Sequence, residues 1–161
     1  MTDGIISGGL CYKSTCSQNH IRVIEDVLKV CGLIILEYPP MKKEDQYSGS
    51  ASSRIQARVS SGIMLVQSKI DGGSKYTLDK FVKLGRVVGV VDFPTNPEYQ
   101  DDTFEANRLI VKEKKYGLAR FVGLKTCKTL NVKAIIPITS KDDYKKFADE
   151  LTMQSAQLNL F

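Results

Sequence analysis

Residues able to do chemistry concentrate where the apolar run Ile63-Met64-Leu65-Val66 passes through Gln67 and Ser68 to Asp71-Gly72-Gly73-Ser74-Lys75-Tyr76-Thr77. A helical pattern from Leu78 to Leu84 follows. A strand that gives way to glycines and then to a helix start leaves backbone N–H groups facing the loop, an arrangement that receives anionic oxygens. Gly72 and Gly73 permit close backbone approach, and Ser74, Lys75 and Thr77 add donors. The same residues also suit a tight turn capped by Ser74. Ser7-Gly8-Gly9 follows another short apolar run and would lie on the same carboxyl rim, where open α/β sheets bind ligands, or form a plain turn. Arg54 offers a fork of donors for a phosphate or base edge, or stands solvated on a helix face. Arg58, Lys69, Lys75 and Lys83 could widen a basic surface, and Tyr76 suits either base stacking or core packing.

Support for catalysis is thin. His20 is the sole histidine, and no Ser/His/Asp or Cys/His arrangement finds a third partner. Cys11, Cys16, Cys31 and Cys127 lack the paired spacing of zinc modules. Cys11, Cys16 and His20 could converge on a metal but lack a fourth ligand, so free thiols in a reducing compartment are expected, with neither metal nor cofactor. The chain has 23 Lys and Arg against 18 Asp and Glu, a net charge of +5 that admits polyanionic partners. It carries no apolar run long enough to span a membrane and no export signal at Met1-Thr2-Asp3-Gly4, so a cytoplasmic protein is expected.

The elements that would position these residues alternate. Ile5-Ile6 opens a strand, Asn19 is the expected cap of a helix through Cys31, and Gly32 stops it. Leu33–Leu36 reads as a buried strand ended by Pro39-Pro40, 41–50 as a polar loop, and 51–61 as a helix. The strand at Ile63–Val66, the helix from Ser74, the Gly85 stop and the strand Arg86–Val91 follow. Beyond a loop at 94–102, Thr103 caps a helix carrying Leu109, Ile110 and Val111, while 116–131 resists assignment. Ala134–Ile138 is a last strand, and Thr139 with Asp142 makes a capping box for a helix through Leu151. Such alternation predicts an α/β domain over residues 1–152, with a mainly parallel sheet and helices on both faces. Residues 153–161 read as a flexible tail.

The order Glu37-Tyr38-Pro39-Pro40, Arg54-Ile55, Ile63–Val66, Gly73-Ser74, Thr77, Gly85-Arg86 and Asn107-Arg108-Leu109-Ile110 resembles the DNA-processing protein A (DprA) family over about two-thirds of the chain. Asn19 matches the asparagine that opens the helix before the Glu-Tyr-Pro-Pro turn. The resemblance is to a shortened member, with Ser52-Ser53 where the family has the Arg and Asn of an Arg-Asn-Arg motif. It implies a Rossmann-like three-layer sandwich, binding of single-stranded DNA, and delivery of that strand to a RecA-type recombinase; it also allows a homodimer. Related phosphoribohydrolases carry a Pro-Gly-Gly-x-Gly-Thr-x-x-Glu pattern, against which Asp79 stands in for the glutamate while the proline, third glycine and threonine are missing. That leaves a nucleotide-sensing or phosphoribohydrolase-like protein acting on a free nucleotide as the alternative.

The chain stops with Gln157-Leu158-Asn159-Leu160-Phe161, which resembles the peptide that bacterial polymerases and repair proteins dock into the β sliding clamp. Leu158, Leu160 and Phe161 would fill apolar pockets with Gln157 hydrogen-bonded beside them, or Leu160 and Phe161 would fold back onto the parent core. The expected protein is therefore a binding module of bacterial or phage DNA metabolism rather than an enzyme.

Overall fold

The run Arg-Val-Val-Gly-Val-Val at 86–91 has no polar face, and it forms a strand buried along almost its whole length. The computed structural model in which it lies describes residues 3–158, the last six by backbone alone. Contacts gather into two compact units, Met1–Gln56 and Ala57–Phe161. Both are parallel α/β structures, and the fold is of the Rossmann-like α/β kind.

In the first unit, strands β1 (Gly4–Ile5) and β2 (Ile34–Ile35) pair in parallel, joined through helices α1 (Tyr12–Thr15) and α2 (Gln18–Lys29). Ile24 and Val27 occur at helical spacing and are the buried face of α2. Helix α2 starts before Asn19: Ser17 is its N-cap residue, and a distant side chain does the capping. Glu44 accepts from the Ser17 N–H at 2.6 Å and from His20 Nδ1 at 2.7 Å, so a carboxylate from the next loop satisfies the helix start. Helix α3 (Gln46–Val59) also begins earlier than its apolar spacing predicts. Asp45 and Ser48 exchange hydrogen bonds, Ser48 N–H to Asp45 Oδ1 at 2.7 Å and Asp45 N–H to Ser48 Oγ at 2.9 Å, and this box nucleates a polar first turn. The unit boundary falls within α3.

In the second unit, β3 (Gly62–Leu65), β4 (Arg86–Val91) and β5 (Val132–Ile138) form a parallel sheet in the order β3-β4-β5. Helix α4 (Ser74–Phe81) joins the first two strands; α5 (Glu105–Glu113) and α6 (Lys115–Phe121) join the last two. Both crossovers step the same way across the sheet, so a common handedness puts α4, α5 and α6 on one face. The packing agrees: Leu78, Phe81, Ile110 and Leu118 share a core with Val88 and Val90. Val87, Val91 and Ile138 point to the opposite face, where Phe147 and Leu151 of α7 (Lys141–Leu158) cover them. An ideal Cβ on Gly89 would sit 3.2 Å from the Phe147 ring, and one on Gly62 would sit 2.3 Å from Leu151, so bare backbone lets α7 lie close to the sheet. A bulge lets Val87 pair with Ala134 directly after Arg86 pairs with Val132, which resets the inward alternation of β5. Pro137 is accommodated because β5 is an edge strand.

Arg86 closes α3 from across the unit, its Nη1 donating to the carbonyls of Ala57 and Arg58 at 3.0 Å and to that of Ser60. Gly85 before it takes φ +70°, a turn only glycine enters freely. Residues 116–131, left open by pattern, hold most of α6 and a short 3-10 turn at Cys127–Thr129. Helix α7 runs past Leu151 because Thr152 to Ala156 contain neither glycine nor proline to stop it. Gln157 and Leu158 fall on its last turn, whereas Leu160 and Phe161 lie outside the described residues.

The capping box of α7 is displaced by one residue from its expected register. Asp143, not Asp142, accepts from the Thr139 N–H (3.0 Å) and hydroxyl (2.7 Å) and from the Ser140 N–H (3.0 Å) and hydroxyl (3.1 Å). The Thr139 hydroxyl bond, followed by the Lys146 ammonium, holds this carboxyl well below the ordinary carboxylate range. A depressed folded-state value means that the stabilisation is complete above the unfolded pKa of about 4 and is lost as pH falls towards the folded value. Asp143→Asn should therefore lower Tm at neutral pH and flatten its decline between about pH 4 and pH 2. Thermal melts across that range measure the difference.

Candidate functional site

Beyond β3 the chain makes a tight turn on a buried serine before α4 begins. Ser68 is buried, with its hydroxyl on the Lys69 carbonyl at 2.9 Å, and the Gly72 N–H returns to the same carbonyl at 3.1 Å. A Cβ on Gly72 would lie 2.4 Å from Ser68 Oγ, so glycine here is a matter of space. Gly73 is different: it is exposed, its φ of −61° is ordinary, and a Cβ would meet nothing within 4 Å. Gly73 is the N-cap residue of α4, and no side chain caps that helix. Among the described residues nothing accepts from the Gly73 or Ser74 N–H. These are the unsatisfied donors of a helix start, open to solvent. Lys75 and Tyr76 flank them, the ammonium 5.4 Å from the ring centroid, and Tyr76 is 46% exposed rather than packed in the core. Thr77 lies within the first turn of the helix.

What holds this turn is a residue that pattern reading quoted without giving it a role. Asn107, on α5, is fully buried; its Oδ1 accepts from Ser68 N–H at 3.1 Å, and its Nδ2 lies 3.2, 3.0 and 3.1 Å from the carbonyls of Leu65, Val66 and Val91. One amide thus ties the ends of β3 and β4 to the loop that leads into α4. The Ala106 N–H adds a bond to the Ser68 carbonyl at 3.1 Å, and Lys69 pairs with Asp102 at 2.6 Å. Arg108 donates to the carbonyls of Tyr99 and Asp101, and its guanidinium lies 5.9 Å from the centre of the Tyr99 ring, so it braces the neighbouring loop. A short asparagine inside an otherwise amphipathic helix was the available signal, because such a residue needs backbone partners when buried.

Asp79 pairs with Lys80 at 2.8 Å and with Lys83 at 3.0 Å. Burial works against its charge, but the hydrogen bonds from the two lysines prevail and hold it below the ordinary carboxylate range. A carboxylate kept ionised in this way is poorly suited to donate a proton to a leaving base.

In the first unit, Gly9 and Arg54 meet the turn that follows β2, whereas Gly8 lies against Cys16 and Thr15. Gly8 and Gly9 are buried; the Gly9 N–H donates to the Lys42 carbonyl at 2.8 Å, and a Cβ there would lie 2.2 Å from the Pro39 carbonyl oxygen. A Cβ on Gly8 would come within 2.6 Å of Cys16 Sγ. Arg54 extends to Glu37 and pairs with it, and the Tyr38 hydroxyl reaches the Ser48 carbonyl at 3.3 Å. The Glu37-Tyr38-Pro39-Pro40 turn therefore gathers Gly9 and Arg54 around itself, while Gly72 to Thr77 belong to the second unit. Ser7 lines a cavity of about 140 Å³ together with Cys16, His20, Glu44 and the apolar faces of Ile24 and Val27. Burial pushes the Cys16 thiol up, away from the reactive thiolate form, and His20 is bonded to Glu44. All four cysteines are free thiols.

The model of the DNA recombination-mediator protein A family matches residues 1–118, from the N-terminus into α6, and takes in both the Glu37–Pro40 hub and the Asn107 clamp. The chain belongs to that family. Membership places it among DNA-processing, recombination-mediator proteins. No curated protein matches it. Among the described residues no helix is long and apolar enough to cross a membrane.

The DNA recombination-mediator motifs at Gly85-Arg86 and Asn107 thus have specific mechanical roles in this chain: one ends α3 and the other sets the turn before α4. Asn107→Leu keeps the volume but strands the Ser68 N–H and three carbonyls, and should cost about 3 kcal/mol or more. A lower urea midpoint at unchanged slope is expected, together with faster amide exchange at 68–73.

Proposed function

We propose that this chain binds single-stranded nucleic acid through phosphate contacts at the start of α4, and that its C-terminal peptide docks to the bacterial β sliding clamp. The observation carrying the first half is the pair of unclaimed amides at Gly73 and Ser74, open to solvent beside Lys75 at the carboxyl end of a parallel strand. Ser74, Lys75 and Thr77 add side-chain donors, and the exposed Tyr76 ring offers a surface for an unpaired base. Membership of a DNA recombination-mediator family favours a nucleic-acid strand over a free nucleotide as the ligand. The ion-paired Asp79 argues in the same direction, since a carboxylate held ionised by two lysines is a poor proton donor for the leaving base of the phosphoribohydrolase-like alternative.

Ser7, Gly8, Gly9 and Arg54 join this proposal as a second phosphate-contacting group on the first unit. Their part requires Arg54 to exchange Glu37, and the buried Gly9 N–H to exchange the Lys42 carbonyl, for a phosphate, because both donors are engaged. Delivery of the bound strand to a RecA-type recombinase, and a homodimer as the working form, complete the family-based proposal.

Gly73→Asp is the sharpest test of the turn. The open space and ordinary φ accept the side chain, and aspartate is a favourable N-cap, so Tm should hold or rise. A carboxylate placed over the amides should nevertheless weaken binding of a labelled oligonucleotide about tenfold, near 1.4 kcal/mol. Equal affinity by fluorescence anisotropy would remove the turn from the interface. Thermal shifts with nucleoside monophosphates, measured alongside, would reveal a free-nucleotide site if those ligands stabilise the protein and oligonucleotides do not.

The clamp proposal rests on the residue types of Gln157-Leu158-Asn159-Leu160-Phe161, three apolar anchors with a glutamine beside them. Replacing Leu160 and Phe161 together by alanine should abolish measurable binding to immobilised clamp while the melting curve stays unchanged. Retained binding by surface plasmon resonance would contradict it.

A further inference from the structure

The positive charge of this protein is not spread over it. Residues 112–128 hold Lys112, Lys114, Lys115, Arg120, Lys125 and Lys128 against one carboxylate, Glu113. That local excess of five equals the net charge of the entire chain, so everything outside the segment is balanced. The fold then shapes the segment. Helices α5 and α6 meet at Lys114, whose φ of +52° and ψ of −122° form a sharp elbow that L side chains rarely adopt. Gly117 makes the elbow possible, since a Cβ there would lie 2.3 Å from the Leu109 carbonyl oxygen, and α6 packs against α5 through that gap. Gly123, at φ +78°, ends α6, and the chain then curls back so that the Leu124 N–H meets the Ala119 carbonyl at 2.9 Å.

The outcome is a groove of about 610 Å³ with Tyr116, Arg120, Lys125 and Lys128 on its walls. Tyr116 is 73% exposed, the ring displayed rather than packed. Arg120 is paired with Glu113 at 2.7 Å, which consumes the only local carboxylate. Among the described residues, Lys114, Lys115, Lys125 and Lys128 form no ion pair, although most lysines elsewhere in the second unit do. Glu113 also lines the groove, but its pairing with Arg120 leaves the unpaired lysines as an excess of one sign, and a cleft with such an excess attracts counter-charge more strongly than scattered cations do.

We infer that this groove is a further nucleic-acid contact, in which Lys125 and Lys128 take backbone phosphates of a single strand and Tyr116 stacks on one of its bases. Exposed aromatic surface between unpaired lysines is the pattern by which unpaired strands are held without sequence preference. Membership of a DNA recombination-mediator family favours a strand over an acidic protein surface as the occupant. Lys125 and Lys128 lie beyond the residues that match the family, and the groove shares none of its residues with the turn before α4. It therefore stands without that turn.

The test uses the full chain and labelled oligothymidylate, intact or with abasic sites. Lys125→Ala with Lys128→Ala should weaken binding about tenfold and reduce the salt slope by about 1.4, the share of two phosphate contacts on a single strand. Tyr116→Ala should weaken binding of the intact strand about tenfold and leave the abasic strand nearly unaffected. Gly73→Asp in parallel separates the two sites: loss in that variant alone retains the turn and removes the groove, and loss in the groove variants alone does the reverse. An unchanged salt slope in the double variant, with its melting curve intact, would overturn the proposal. So would an equal effect of Tyr116→Ala on intact and abasic strands.

Discussion

The second unit depends on a single buried amide. Asn107 offers one acceptor and two donors, and all are spent on backbone: the Ser68 N–H on one side, and the carbonyls of Leu65, Val66 and Val91 on the other. Those groups lie where β3 and β4 run out and ladder bonding ends, so without a side chain to meet them they would be buried and unpaired. By satisfying them the amide fixes how the chain leaves β3, which fixes the Ser68 turn, which in turn fixes where the free amides of α4 point. A buried contact thereby sets the geometry of the turn before α4.

The same economy recurs in the first unit. Glu44 caps α2 from another loop, Arg54 is held by Glu37, and the Gly9 backbone nests against Pro39 and Pro40. Polar and glycine residues that suggest ligand chemistry when read alone are here bound to one another. Helix α4, like α1, α5 and α6, starts without a side-chain cap, and the N–H groups of Gly73 and Ser74 meet no acceptor among the described residues. A helix terminus left open costs unpaired donors, and water or an anion is what remains to satisfy them.

Charge and shape also separate. The strands and the faces packed on them account for the core, whereas the net positive charge resides in one elbow and loop after α5. Two features of different origin, an unclaimed helix start and a cationic groove beside a displayed tyrosine, thus both point towards polyanions in a protein whose family mediates DNA recombination.

Residue order alone determined the parallel α/β class and the second-unit strands, because Ile63–Val66, Arg86–Val91 and Ala134–Ile138 are continuous apolar runs that only a doubly covered sheet can bury. The ordered short motifs likewise carry the family. Helix starts escaped it: Glu44 capping α2 is a long-range contact, and the Asp45–Ser48 and Ser140–Asp143 boxes are shifted from the residues that spacing favours. Only the tertiary structure decided that Asn107 and Arg86 are mechanical parts, that Arg54 is paired, and that Arg120, Lys125 and Lys128 line one groove. Each of these depends on which distant groups meet in three dimensions, whereas hydrophobic periodicity records only which side of an element is buried.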